Sequence, residues 1–365
     1  MRKLIVLLLL LLPFLATGCF DYQELNNRAV IAGIAIDYNQ DKFGVTFEIL
    51  NNKKSSSEKE DSDKTYTVEG EGTTLPEAFQ DCSLKISKDP YYAHLKVLIL
   101  GEEVTQEKML DVLDYFIRDA SIRNIFLPII AEDSSAKDIL KSTTTENPVV
   151  STLIQSMLEN NKMNNGVVVV KDFEDFLNTI IDPYQDAYLN TISKEEDTLV
   201  LNGIAAFEGD KLKTILSAEE SLAFNALNND STIYYVSAVC PNDSSQSITI
   251  NLYDNTGTEY SFENDEIQVK SNLKASIITD GCKFDLRDPE VYTTISEIFT
   301  PVIKQQFQDT IEVIKKNQTD ILGINNRYYK KNKTSLEDWY TKNFTFDVEL
   351  NVNKNGLIFE VNEND

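Results

Sequence analysis

The chain has one histidine, His94, and four cysteines in 365 residues, and it has no HExxH, CxxC, EF-hand or GxSxG pattern. The common signatures of zinc, calcium and serine-nucleophile chemistry are therefore missing, and no cofactor is expected. Basic residues are also scarce, with 34 Lys and Arg against 59 Asp and Glu and a formal charge of −25. Such a surface repels phosphate backbones, so nucleic acid is not an expected partner. It repels anionic headgroups as well, so a basic patch is not what would hold the chain to a membrane.

Long apolar runs are nearly absent too. The one long apolar run is Leu4–Leu15, which carries no charge. As a helix it would rise about 18 Å, short of the roughly 30 Å hydrocarbon core, and no stop-transfer pattern follows. Arg2 and Lys3 precede it and Ala16-Thr17-Gly18-Cys19 follows, the layout of an export signal with small residues at its cleavage site. Residues 1–18 read as a cleaved leader. Cys19, directly after Gly18, reads as the thiol that takes a diacylglyceryl group and becomes an acylated N-terminus. The alternative is an ordinary secreted protein in which Cys19 is a small apolar residue. Several acyl chains, at about 0.8 kcal/mol per buried CH₂, hold a protein far more firmly than one. Loss of Arg2 and Lys3 with the leader takes the balance to −27.

What is present is globular. An apolar content of 42 % and a charged content of 25 % exclude wholesale disorder, and the length calls for more than one core. Cys82, Cys240 and Cys282 form an odd set on the exported side. Buried free thiols are expected for them, with a Cys240–Cys282 bridge as the alternative.

Periodicity predicts the elements. Ala29–Tyr38 and Phe43–Ile49 read as a β-hairpin with one buried face, residues 53–64 as a solvated loop, and Tyr66–Val68 as a short strand. Thr74 and Glu77 form a capping box for a helix with Phe79 and Cys82 on its apolar face. Tyr91–Gly101 reads as a strand. A helix bearing Met109, Val112, Leu113 and Phe116 follows, and then the strand Ile125–Ala131. Residues 136–181 read as helical with a break at Asn160–Asn165. Leu199–Phe207 and Leu212–Leu216 read as a hairpin opening a new α+β unit, and Ser217 with Glu220 caps the next helix. Strands at Ile233–Val239, Ile248–Tyr253 and Ile267–Ile277, a long helix from about Asp288 to Lys316, a helix around Leu336 and Trp339 and a strand through Phe346–Val352 complete the chain. The fold class is α+β, with mixed and antiparallel sheets flanked by helices in three domains. The expected units are 19–134, a mainly helical 135–196, and 197–365 with the long helix.

Cys19-Phe20-Asp21-Tyr22-Gln23-Glu24-Leu25-Asn26-Asn27-Arg28, followed by the apolar stretch to Asp37, resembles the opening of the C-subunit lipoproteins of GerA-type spore germinant receptors. Phe20 stands where that family usually has Trp. His94-Leu95-Lys96 leading to Gly101-Glu102, and Arg118-Asp119-Ala120-Ser121-Ile122-Arg123, resemble the same family. So does the stretch around Asp320, Gly323 and Arg327, although Leu322 and Ile324 replace aromatics there. The resemblance implies a lipoprotein on the outer face of the spore inner membrane, lipidated at Cys19 and working beside integral membrane A and B subunits in germination. It also implies partner contact through Asp21, Glu24, Leu25, Asn26 and Arg28, against the alternative that this segment is a flexible spacer.

His94 reads as structural and not catalytic, and Arg118, Asp119 and Arg123 as a local salt-bridged turn, with a ligand clamp as the other reading. No enzyme activity is expected. A transporter's substrate-binding lipoprotein is the main alternative, and it would show two lobes of repeated βαβ units around a cleft.

Overall fold

The apolar stretch after Arg28 can lie buried on both faces only as an interior strand, and that is where it sits. The computed structural model describes residues 27–51, 64–142, 147–164, 166–229, 233–263 and 265–353. The leader, Cys19, Asp21, Glu24, Leu25 and Asn26 lie outside them. β1 (Arg28–Asn39) turns at Gln40 and Asp41, both at positive φ, and returns antiparallel as β2 (Lys42–Leu50), with Ile34 opposite Phe47 and Ile36 opposite Val45. β3 (Thr65–Gly72) pairs outside β2. On the other side of β1 the parallel strands β5 (Val97–Leu100), β6 (Leu127–Ala131) and β7 (Tyr188–Glu195) follow. The hairpin β8 (Thr198–Glu208) and β9 (Lys211–Leu216) closes the sheet antiparallel. A short β4 (Asp89–Tyr91) pairs only with the start of β1. The order is β3-β2-β1-β5-β6-β7-β8-β9, so main-chain pairing crosses both residue 134 and residue 196.

Helices cover both faces. α1 (Leu75–Leu84), α2 (Glu102–Glu107) and α3 (Met109–Arg118) pack on one, with α6 (Phe173–Ile180), around Ile34, Ile36, Phe47, Phe79, Phe116 and Phe176. α4 (Ala136–Leu140) and α5 (Val150–Asn164) pack on the other, around Ala35, Val97, Ile99, Ile139 and Ile154. This corrects the hairpin expectation. Alternating polar residues on β2 suggested a solvated face, yet Thr46 and Glu48 are each only 2 % exposed because α4 and α5 lie over them.

A second sheet runs β10 (Tyr234–Cys240), β11 (Asp243–Glu263), β12 (Glu266–Asp280) and β13 (Asn343–Asn353), the last parallel to β12. α8 (Pro289–Asn317), capped by Asp288, crosses it with Ile295, Phe299, Ile303, Phe307, Ile311 and Ile314 buried at helical spacing. α7 (Ala218–Asn228), with the expected Ser217–Glu220 capping box, buries Phe224 and Leu227 in the same core as Ile204 and Ala206 of β8. The two sheets therefore share apolar contacts across α7. The larger sheet carries β5, β6 and β7 in parallel with helical connections and the second carries one such crossover, β12 to β13, but antiparallel hairpins make up the rest of each, unlike two lobes of repeated βαβ units. Among the described residues no helix is long and apolar enough to cross a membrane.

Four local expectations change. Cys240 and Cys282 form a disulfide, joining the end of β10 to the turn after β12 across a sequence separation of 42, while Cys82 is a buried free thiol as expected. A closed loop of that length is worth about 4 kcal/mol in chain entropy. Tyr91–Gly101 is not one strand, since residues 92–96 form a turn between β4 and β5. The strand β7, in the unit expected to be mainly helical, instead extends the sheet because both of its neighbours supply pairing edges. The helix expected around Leu336 and Trp339 is one 3₁₀ turn, Trp339–Thr341, and the helix itself is α9 (Ile324–Asn332), started at Gly323 with φ +62°.

Gly33 allows α4 and α5 to approach β1. A Cβ there would stand 2.9 Å from Leu140 Cδ1, 2.9 Å from Ser151 Cβ and 3.3 Å from Glu48 Oε2. Gly33→Ala should lower unfolding free energy by about 1–3 kcal/mol. Gly44→Ala, where nothing lies within 4 Å, should change it by less than about 0.5 kcal/mol. Urea titrations of the two variants test the contrast, and equal effects would remove the packing role of Gly33.

Candidate functional site

Arg28 is where the segment expected to follow the lipid anchor enters the fold. It opens β1 opposite Asp89, and two residues later Val30 lies opposite Tyr91. Its guanidinium carbon lies 4.6 Å from the Tyr91 ring centroid, and the Tyr91 ring meets the exposed His94 imidazole edge-on at 5.8 Å. Cation–π contact of this kind is worth about 0.5–1 kcal/mol. Arg28 Nε is buried without a hydrogen-bond partner among the described residues. Of the expected contact residues, Arg28 alone is described, and its head is fixed by an aromatic face instead of a carboxylate.

Buried carboxylates organise the structure further in. Asp37, at the end of β1, accepts from the N–H groups of Ala136 (2.7 Å) and Lys137 (2.9 Å), the first residues of α4. Glu48, in mid β2, accepts from the N–H groups of Val150 (2.7 Å) and Ser151 (3.0 Å), the first residues of α5. Helix N-termini leave such groups unpaired and carry partial positive charge, so a carboxylate meets both needs. Burial pushes both carboxyls above their ordinary values against the pull of these bonds.

A linked pair stands between the two sheets. Asp186, just before β7, accepts from Gly209 N–H at 3.1 Å and from Asp320 N–H at 2.6 Å. Asp320 accepts from Ile324 N–H (2.6 Å) and Asn325 N–H (2.8 Å) at the start of α9. Burial, aided by the Asp186 charge, pushes Asp320 up to about 8 despite these bonds. Asp186 was not apparent from sequence. Asp320 drew attention only through the resemblance, and its place three residues before Gly323, the N-cap of α9, was the available local signal.

The remaining candidates read locally. Arg118 Nε bonds Asp114 one turn back in α3 at 2.7 Å, Asp119 accepts from Ser121 N–H, and Arg123 is exposed, so among the described residues the ion pair lies within the helix and not between the three residues of the expected salt-bridged turn. A cavity of about 570 Å³ beside them, lined by Phe43, Leu75, Tyr115 and Arg118 among others, mixes charges of both signs. Burial pushes the Cys82 thiol up to about 12, which keeps it protonated and unreactive at neutral pH. Among the described residues no group of three His, Cys, Asp or Glu could hold a metal ion.

Comparison with known proteins covers nearly the whole chain. Residues 21–194 match the family model described as spore germination protein N-terminal domain, and residues 202–356 match spore germination B3/GerAC like, C-terminal. The chain is 24 % identical over 378 residues to spore germination protein KC of Bacillus subtilis (strain 168), spanning 95 % of this chain and 91 % of that protein. It is 26 % identical over 342 residues to spore germination protein GerQC of Bacillus cereus, 91 % of each. The crystal structure of the GerBC protein superposes with a TM-score of 0.54 at 17 % identity, over 92 % of this chain and all of that one, and so shares its fold.

The Asp320 carboxyl gives a pH prediction. With a folded value of about 8 against the ordinary 3.8, the folded chain holds a proton through that window which the unfolded chain has released. Its stabilising contribution is thus complete below about pH 4 and lost as pH rises through about 8. Asp320→Asn, which mimics the protonated form, should match the wild type near pH 5 and exceed it by at least about 1 kcal/mol at pH 8. Denaturant titrations at both pH values decide this, and a pH-independent difference between the proteins would refute it.

Proposed function

The chain belongs to the Ger(x)C family of spore germination proteins, and from that premise we propose that it is the membrane-anchored lipoprotein subunit of a spore nutrient germinant receptor. In this reading it is lipidated at Cys19, held on the outer face of the spore inner membrane, and acts through protein contacts with the integral membrane A and B subunits. The observation that carries the reading is the order Gly18-Cys19, a short polar segment, and then Arg28 at the start of β1, the central strand pair of the larger sheet. An anchor placed there transmits position directly into the most buried part of the fold. A net charge of −25 supports standing off an anionic bilayer, with acyl chains supplying the attachment.

The same geometry supports Asp21, Glu24, Leu25, Asn26 and Arg28 as a contact segment. With Phe20 alone separating it from the acylated residue, the segment lies within reach of any membrane-embedded partner. Arg28 Nε, buried without a hydrogen-bond partner among the described residues, is a donor at its inner end. The division into 19–134, 135–196 and 197–365 remains our working description of the units, joined by the pairing described above.

Cys19→Ala should abolish labelling by palmitate analogues, move the protein out of the membrane fraction and impair germination in response to nutrients. Unchanged fractionation and labelling would sink the lipoprotein reading. Replacing Asp21, Glu24 and Asn26 together by Ser keeps the length of the segment and removes its chemistry. Co-purification with the membrane subunits should then fall. Normal co-purification and normal germination rates would show the segment to be only a tether.

A further inference from the structure

The parallel strands β1, β5, β6 and β7 all start at one end of the larger sheet, and Arg28 brings the chain into the fold there. α1 returns the chain from the far end of β3 to β4, whose Asp89 lies opposite Arg28, and α3 returns it from the far end of β5 to the start of β6. The last turns of both helices therefore share the end where β1 begins. Each places a large apolar side chain in solvent. Leu84 closes α1 and is 79 % exposed, and Ile117, in the last turn of α3, is 51 % exposed. Ile125, two residues before β6, is 63 % exposed. Phe116 and Phe126, the neighbours of Ile117 and Ile125, meet with ring centroids 5.2 Å apart, so the backbone at those two positions runs close together.

Charge is sorted along the same axis. At the strand-start end Lys88, Arg118 and Arg123 are exposed, with Asp89, Asp114 and Asp119 beside them. The opposite end gathers Asp37, Glu102, Glu103 and Asp133 around a cavity of about 370 Å³, with no Lys or Arg among the described residues that line it. The tether decides which end turns towards a membrane. The nine residues 19–27, at no more than about 3.5 Å each, hold Arg28 within about 30 Å of an acylated Cys19. Anionic headgroups repel the acidic end, so the end with balanced charge and exposed apolar side chains faces inward.

We infer that the strand-start end of the larger sheet, around Leu84, Ile117 and Ile125, is the face that docks on an integral membrane subunit. The inference rests on the receptor reading proposed above and adds the surface through which the folded body makes contact. A protein suits this face better than lipid does, because headgroups repel a chain at −25 and because carboxylates stand among the local cations. The partner surface it fits is apolar at its centre with charges of both signs at its rim.

The test co-expresses the full-length chain with the integral membrane A and B subunits of its receptor and measures their recovery with it from detergent. Leu84→Glu, Ile117→Glu and Ile125→Glu combined should lower that recovery at least about tenfold, with palmitate labelling and membrane fractionation as in the wild type. Ile125→Glu alone should lower it at least about threefold, and it carries the test should the triple variant unfold. Tyr235→Glu with Val239→Glu, at comparably exposed positions of β10 in the second sheet, should leave recovery unchanged. Undiminished recovery in the triple and single variants, or an equal loss in the β10 pair, would overturn the inference and leave the receptor reading standing. If the unlipidated Cys19→Ala chain floats with phosphatidylglycerol–phosphatidylethanolamine vesicles and the three glutamates abolish flotation, the face meets lipid and the inference falls. Absence of the subunits from the wild-type preparation would overturn the receptor reading, and this inference with it.

Discussion

Glu48 and the two N–H groups it accepts from at the start of α5 are the contact on which the larger half of the molecule depends. A carboxylate 2 % exposed in the middle of a strand is costly to bury, and it is tolerated there because a helix N-terminus meets it with donors and partial positive charge. That bond brings α5 down onto β1 and β2, which in turn requires Gly33 to carry no side chain. Asp37 repeats the device with α4 at the end of β1. Two carboxylates on adjacent strands thus dock the helices that convert a half-exposed hairpin into the interior of a three-layer structure.

The same physics joins the halves. Asp186 belongs to the larger sheet's side and Asp320 to the loop before α9, and a backbone N–H of one bonds the carboxylate of the other. Around this latch α7 supplies the apolar contact, burying Phe224 and Leu227 against residues of β8 and of the second sheet. Polar pairing sets the geometry of the junction, and apolar area supplies most of its stability. The disulfide acts elsewhere, tying the far end of β10 to the turn after β12.

These features bear on how an anchored subunit can work. Under the proposed anchoring at Cys19, a pull from the membrane would reach β1, a strand hydrogen-bonded on both sides. Under the same proposal the acidic body would stand off anionic lipid and leave the short polar segment to meet partners.

The sequence by itself determined the elements whose signals are local: the two capping boxes, the apolar run of β1 and the stripe of α8. Each depends on residues within a few positions of one another, so spacing is enough to reveal it. It also carried the family, through short ordered motifs. Only the tertiary structure decided what Glu48, Asp37 and Asp186 do, because their partners lie 102, 99 and 134 residues away and an isolated acidic residue reads as solvated. The pairing of Cys240 with Cys282 and the recruitment of β7 into the large sheet are likewise set by long-range packing. A strand's second face and a cysteine's partner are properties of what folds over them, and no local pattern encodes that.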